Sequence, residues 1–324
     1  MYYRTFGRTG WNVSEISFGA WQLGGQWGTV DDEQSIAALL MAFAQGINFV
    51  DTAELYGAGH SEAVVGEALR RWSGEKIYVA TKIQPTVWPS ADIDEPLMRG
   101  RYPEWHLRHG VDLALQRLGV ERLDLLQLHC WLGDGVCTLD WLETLNALRV
   151  EGKVDKIGVS IRDYRPDEGV KIAELGLVDS IQVIFNLFEQ RPAQELFPAG
   201  ARTNTAFIDR VAFDSGSLGG LWTADTYDSW EEGSQQREMF RGDRFHETLK
   251  RVAALKTLVA PYYATLAEAA VKFSLSSPEV STVIAGMSNR RNIARNVSYS
   301  DGEPFPDELR EQLAAHNWPR NYYK

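Results

Sequence analysis

Short runs of apolar and β-branched residues alternate along the chain with longer stretches in which apolar positions recur three and four residues apart. The runs are Val13 to Gly19, Ile47 to Thr52, Ile77 to Lys82, Leu123 to His129, Ile157 to Ile161, Ile181 to Asn186, Ala206 to Phe213 and Thr282 to Gly286, and their length and composition predict eight strands. The intervening stretches predict helices. The first covers 35 to 43, with Asp31 and Asp32 as cap and first-turn acid. Others fall near 62–72, 103–118, 139–150, 167–175, 190–200, 245–275 with a break at Pro261, and 290–297. Strands separated by helices must run parallel, and eight such units favour a closed α/β barrel of the (β/α)8 or TIM type over an open doubly wound sheet. Leu123-Asp124-Leu125-Leu126-Gln127-Leu128 is almost continuously apolar, as a strand covered on both faces should be.

Two segments stand outside the repeat. Tyr3 to Ser14, centred on Gly7-Arg8-Thr9-Gly10, reads as a β-hairpin plugging the bottom of the barrel. Ser215 to Arg244, polar and Gly-rich with two tryptophans, reads as a long loop over the top after the seventh strand. No linker interrupts the pattern, so residues 1–324 are expected to form one domain.

Composition narrows the function. The chain has 324 residues with 33 Lys and Arg against 44 Asp and Glu, a net charge of −11, which opposes binding to nucleic acid or an anionic membrane. Only two cysteines, Cys130 and Cys137, are present, a usage that fits a reducing compartment. With no apolar leader or membrane-length run in the sequence, a cytoplasmic location is expected. The oligomeric state is left open.

Side chains that do chemistry in such a barrel project from the C-terminal ends of the strands. Strand 2 ends in Asp51-Thr52-Ala53-Glu54-Leu55-Tyr56-Gly57, strand 3 in Ala80-Thr81-Lys82 and strand 4 in Gln127-Leu128-His129. Neighbouring strands thus deliver Asp51, Tyr56, Lys82 and His129 to one rim. Burial of Lys82 and Asp51 is least costly as a mutual ion pair. That places a fixed cation near Tyr56. At 4 Å and an effective dielectric of 20 it would favour the phenolate by about 4 kcal/mol, or roughly three pKa units before desolvation opposes it. Tyr56 is then a general acid. A neutral His129 can hydrogen-bond the same carbonyl oxygen. None of these groups supplies hydride, so the arrangement demands a nicotinamide cofactor.

The motif D-x-A-x-x-Y-G, standing as Asp51 to Gly57, with Thr81-Lys82 and with Asp124-Leu125 leading to His129, resembles the aldo-keto reductase superfamily. The similarity runs from the Arg4-x-x-Gly-Arg-Thr-Gly hairpin to the last strand. It implies a catalytic set of Asp51, Tyr56, Lys82 and His129 and an NAD(P)H held in extended form without a Rossmann domain. By the same resemblance, Gly19, Ala20 and Trp21 form a shelf for the nicotinamide. Asp51 is among the cofactor contacts, and Ser160 and Gln182 hold the carboxamide, though Ile161-Arg162-Asp163 stands where the family commonly has an asparagine. Phe213 takes the place of the ring-stacking aromatic. Ser215, Ser217, Leu218 and Gly220 lie in the pyrophosphate loop. Gly286, Ser288, Arg290, Arg291, Asn292 and Asn296 receive the adenosine end. The guanidinium groups at a helix start suit a 2′-phosphate, so NADPH is preferred. NADH use stays open, because Gly286 replaces the family's lysine.

The substrate end is read from tryptophans. Trp21, Trp88, Trp131 and Trp222 follow strand ends and could converge as an aromatic wall for a sugar face or an aryl ring. The expected substrate is a sugar-derived or aromatic aldehyde or ketone, because no arginine or lysine cluster outside the cofactor contacts suggests a phosphorylated one. No metal site is expected. His129 and Cys130 are not read as a dyad, since successive strand residues face opposite ways. Two alternatives remain: Lys82 as the Schiff-base residue of an aldolase, and a non-enzymatic NADP(H)-binding regulatory subunit.

Overall fold

A computed structural model of the chain describes residues 1–25, 31–90, 93, 96–287 and 289–322. Eight parallel strands close into the expected barrel: β3 (Ile16–Gly19), β4 (Phe49–Asp51), β5 (Tyr78–Ile83), β6 (Leu123–Trp131), β7 (Val154–Ile161), β8 (Ser180–Ile184), β9 (Ala206–Arg210) and β10 (Val280–Gly286), with β10 pairing back onto β3. The first apolar run is divided. Val13 belongs to β2 (Asn12–Ser14), which pairs antiparallel with β1 (Tyr3–Thr5) as the N-terminal hairpin. The hairpin plugs the barrel floor: its Phe6 and Val13 pack with Phe49, Ala80, Leu125, Ala206 and Ile208 from four barrel strands, all at most 1% exposed.

Helices cover the outside, including α1 (Asp32–Ala44), α2 (His60–Arg71), α3 (Glu104–Leu118) and α4 (Asp140–Val150). Asp31 caps α1 by accepting from the Gln34 amide at 3.0 Å. The segment predicted near 167–175 opens with a 3-10 turn at Pro166–Gly169 and continues as α5 (Val170–Leu175). The next one likewise opens with a turn before α6 (Leu196–Thr203). The insert after β9 is more ordered than a loop. It carries the short helix α7 (Gln235–Met239) and leads into α8 (Asp243–Val259), followed by α9 (Leu266–Leu275), α10 (Arg290–Ser298) and α11 (Asp307–Ala314). Its order comes from a satellite core in which Trp222, Tyr227 and Trp230 pack on Phe240, Phe245 and Tyr322. Among the described residues no helix is long and apolar enough to cross a membrane.

Candidate active site

The inward face of each strand is set by the two-residue period of the pleat. Phe49, Ala80, Leu125 and Ile208 form the floor layer, so Asp51, Lys82, Gln127, His129 and Arg210 point into the barrel above it. Register brings them level: Gly19 pairs with Asp51, Asp51 with Ala80, Lys82 with Gln127, and Ser160 with Gln182.

Lys82 is 1% exposed and Asp51 3%. The Lys82 ammonium donates to Asp51 Oδ1 at 2.6 Å, to the Thr52 carbonyl at 2.8 Å and to the Tyr56 phenol oxygen at 3.2 Å. All three of its donors are therefore spent. Burial alone would push Lys82 down, but the Asp51 carboxylate, with Tyr56, holds it above the ordinary lysine value. Gly57 makes the turn behind Tyr56 with φ +62°, and a Cβ there would meet the Gly24 carbonyl oxygen at 2.5 Å.

The expected lowering of Tyr56 is not found. Burial pushes the phenol above the ordinary tyrosine value; Lys82 opposes this and Asp51 adds to the rise. The reason is burial: desolvation of the phenolate outweighs the field of the Lys82 ammonium, which is itself opposed by the Asp51 carboxylate 2.6 Å from that ammonium. Tyr56 thus carries its proton at neutral pH, and because Lys82 donates into its oxygen, that proton is left to point elsewhere. Burial, reinforced by Lys82 and Arg210, holds His129 well below the usual histidine range, so the imidazole is neutral. Its ring lies 5.9 Å from that of Tyr56, edge to face, and its Nδ1 has no partner.

Tyr56 and His129 open into a cleft of about 810 Å³. Trp21 stacks on Tyr56 at 5.6 Å, and Trp88 meets His129 edge-on at 5.6 Å. Two of the four proposed substrate tryptophans therefore converge on the site. The other two do not. Register slips in β6 between Leu128 and Trp131, and this bulge turns Trp131 outward into the core, where it is 0% exposed, donates to the Glu168 carbonyl at 3.0 Å and packs against Trp141 at 5.2 Å. Trp222 belongs to the satellite core, 4.8 Å from Phe240. The same bulge also corrects the expectation for Cys130, which lines the cleft beside His129. Burial pushes its thiol up to about 12, so it holds no thiolate for nucleophilic work.

The residues assigned to the cofactor fall into three groups. Gly19, Trp21, Asp51, Ser160 and Gln182 line the cleft, and Ala20 is buried behind them with its amide bonded to the Asp51 carbonyl. Gln182 donates to Asp51 Oδ2 at 3.0 Å while its own Oε1 is buried with no partner. That is an acceptor waiting for an amide donor, and it fits a nicotinamide carboxamide. At the far end Asn296 is 1% exposed, with Nδ2 on the Gly286 carbonyl and Oδ1 without a partner, which fits an adenine amine. Arg290 and Arg291 are exposed on the first turn of α10 beside Asn292, whose amide is capped by Asn289. Ser288 lies outside the described residues.

The third group departs from expectation. β9 ends at Arg210, so Phe213 lies beyond the strand and packs against the main core without lining the cleft. Ser217 and Leu218 are fully buried, and the Ser217 hydroxyl donates inward to Asp214 at 2.6 Å. In this turn only the main chain, with Ser215 and Gly220, is left for a phosphate. Arg210 is the inward residue that sequence reading missed. It continues the parity of Ala206 and Ile208, faces the cleft, pairs with Asp163 and donates to the Ile161 carbonyl at 3.0 Å. The next residue, Val211, sits at φ +60°, a strained conformation for a β-branched side chain. Four further arginines or arginine-bearing turns reach the same cleft, namely Arg162, Arg165, Arg191 and Arg320, contrary to the expected absence of a basic cluster.

Known proteins share this fold and sequence pattern. The glycerol dehydrogenase AKR11B4 from Gluconobacter oxydans shares the fold with a TM-score of 0.81 and 25% identity, covering 98% of this chain and 97% of that one. The aldo-keto reductase YhdN of Bacillus subtilis is 28% identical over 289 residues, 88% of this chain and 85% of its own. The NADH-specific methylglyoxal reductase of Escherichia coli is 27% identical over 305 residues, 90% of this chain and 91% of its own. The profile of the Aldo/keto reductase family matches residues 15–317, and the chain belongs to that family.

Proposed function

We propose that the protein reduces an aldehyde or ketone to an alcohol with a nicotinamide dinucleotide, NADPH in preference to NADH. The observation that carries this reading is the buried relay Asp51–Lys82–Tyr56, with Tyr56 lining the cleft beside the neutral imidazole of His129. When bound, the cofactor supplies the hydride. Ser160 and Gln182 would hold its carboxamide and Asn296 its adenine. Tyr56 donates its proton to the carbonyl oxygen, Lys82 stabilises the phenolate that forms, and Asp51 keeps Lys82 charged and in place. His129 hydrogen-bonds the same oxygen and fixes its direction. Trp21 and Trp88 make two aromatic walls around the reacting centre, which favours an aryl ring or a sugar face. A cytoplasmic setting, rich in reduced cofactor, accords with this reading.

The aldolase alternative loses ground on the same geometry. A Schiff base needs a neutral, accessible amine, whereas Lys82 is fully buried and held as an ammonium by three partners. The experiment that tests the proposal follows cofactor absorbance with a panel of aryl, sugar-derived and aliphatic carbonyl compounds. Oxidation of NADPH by the aryl or sugar-derived members is the expected result. Turnover of simple aliphatic aldehydes alone overturns the substrate class, and no turnover with any carbonyl overturns the reaction.

A further inference from the structure

Residues 319–321 form part of the cleft wall. The Trp318 amide donates to the Phe188 carbonyl at 2.8 Å, and Pro319, Arg320 and Asn321 line the cleft that holds Tyr56 and His129. The Arg320 side chain is only 8% exposed. One of its nitrogens, Nη2, is spent on Asp214, a buried carboxylate that also accepts from Ser217 and Tyr322. Its guanidinium carbon lies 4.1 Å from the Trp318 ring centre, 4.7 Å from that of Phe188 and 4.9 Å from that of Tyr322. The rings hold the group in place but offer no lone pair in its plane. Nε and Nη1 are buried with no acceptor among the described residues.

Unspent donors on a buried cation are costly, and the coplanar N–H groups of a guanidinium match the oxygens of a carboxylate or phosphate. The surroundings point the same way. Arg162, Arg165, Arg191 and Arg210 line the same cleft, each braced by a carboxylate: Glu168, Asp167, Glu189 and Asp163 respectively. Asp51 and Asp163 are the acids in the cleft lining. A chain with a net charge of −11 therefore concentrates cationic groups at its cleft.

We propose that Arg320 is an anion receptor, taking a carboxylate or phosphate oxygen on Nη1 or on Nε. The proposal rests on the carbonyl-reduction reading. Two sources offer this chemistry: an acid group on the carbonyl substrate itself, and the diphosphate of the cofactor, because Asp214 and Ser215 of the turn after β9 enclose a small cavity with Arg320.

The test compares 4-carboxybenzaldehyde with 4-nitrobenzaldehyde as substrates at saturating NADPH, and titrates NADP+ by tryptophan fluorescence. It uses the full chain and its Arg320→Gln and Arg320→Lys variants. Arg320→Lys keeps a cation for Asp214 and lacks the planar fork, so it serves where Arg320→Gln fails to fold. A substrate source gives a kcat/KM preference of about tenfold or more for the carboxylated aldehyde, reduced to near unity in the variants. A cofactor source gives no such preference and instead weakens NADP+ binding by about tenfold. The proposal is overturned if the variants change neither the preference for the carboxylated aldehyde nor the affinity for NADP+. If neither aldehyde consumes NADPH, the aryl substrate class fails, and the NADP+ titration still decides whether Arg320 receives an anion.

Discussion

Lys82 donates into the phenol oxygen of Tyr56 at 3.2 Å while its closer bond, at 2.6 Å, goes to Asp51. The phenol is thereby a hydrogen-bond acceptor from below and a donor toward the cleft, and it stays protonated because burial outweighs the lysine field. Replacing Tyr56 by Phe removes the transferable proton and little else. We expect kcat to fall by about 10²–10⁴-fold, with the NADPH dissociation constant, read by tryptophan fluorescence, within about twofold of the parent. Retention of more than a tenth of the activity would mean that another group protonates the oxygen.

Lys82 is tested by Lys82→Met, which matches its length without its charge. The phenolate formed after proton transfer then has no cation beside it, and Asp51 is left buried without its partner. Loss of one partner of a buried pair costs about 3–5 kcal/mol. The expected outcome is a lower Tm together with activity near that of Tyr56→Phe. The double variant Asp51→Asn, Lys82→Met should recover part of the Tm but none of the turnover. Recovery of turnover would sink the electrostatic role of Lys82.

His129 sets a pH dependence of stability. Its folded-state pKa is depressed by burial, then by Lys82 and Arg210. Below the ordinary histidine value the unfolded chain binds a proton that the folded chain refuses. The stability it contributes is therefore present above about pH 6.5 and is lost as pH falls. A His129→Gln variant lacks this term. Melting temperatures of the two proteins compared at pH 8 and pH 5.5 should show the gap shifting toward the variant at the acidic value. A gap that does not move with pH would show that the imidazole is not held neutral.

Asp51, Tyr56, Lys82 and His129 were legible because each ends a strand or follows one within a contiguous motif, so local pattern alone gave their common rim. The barrel was legible for the same reason: strand and helix periods alternate without interruption. What escaped reading depended on features with no local signature. The slip in β6 reverses Trp131 and Cys130 relative to simple alternation. The early end of β9, with Val211 at φ +60°, leaves Phe213 beyond the strand and brings Arg210 to the cleft. The insert after β9 uses Trp222 and Trp230 to build its own core with Tyr322, a contact across almost a hundred residues that no window of sequence displays. The bond between Asp214 and Arg320 spans 106 residues and is equally invisible to local pattern.

Trp21 and Trp88 are separable from Trp131 by experiment. The first two are 39% and 44% exposed and flank Tyr56 and His129, whereas Trp131 is 0% exposed. Trp21→Ala and Trp88→Ala should raise KM for an aryl aldehyde by about tenfold, as removal of an aromatic contact worth about 0.5–1.5 kcal/mol beyond its buried area predicts, with Tm little changed. Trp131→Ala should instead destabilise the fold by about 3–5 kcal/mol. A Trp131 variant that folds normally and alters substrate preference would place that ring in the cleft after all.

On the proposed reading, the preference for NADPH would come from the first turn of α10. Arg290 and Arg291 are exposed there, beside an amide end already capped by Asn289, so their side chains rather than a free helix terminus must discriminate a 2′-phosphate from a hydroxyl. Charge-assisted hydrogen bonds contribute about 1.5–3 kcal/mol each, equivalent to about a tenfold to hundredfold change in affinity. The double substitution to Ala should therefore lower kcat/KM with NADPH by about that factor and bring the NADPH to NADH ratio close to one. Raising the salt concentration should reduce the parent's ratio in the same direction, because both arginines are solvent-facing and their attraction for phosphate is screened. Equal efficiencies with the two cofactors in the parent, or a ratio untouched by the double substitution, would remove these arginines from the cofactor site and leave Asn296 as the contact at the adenosine end.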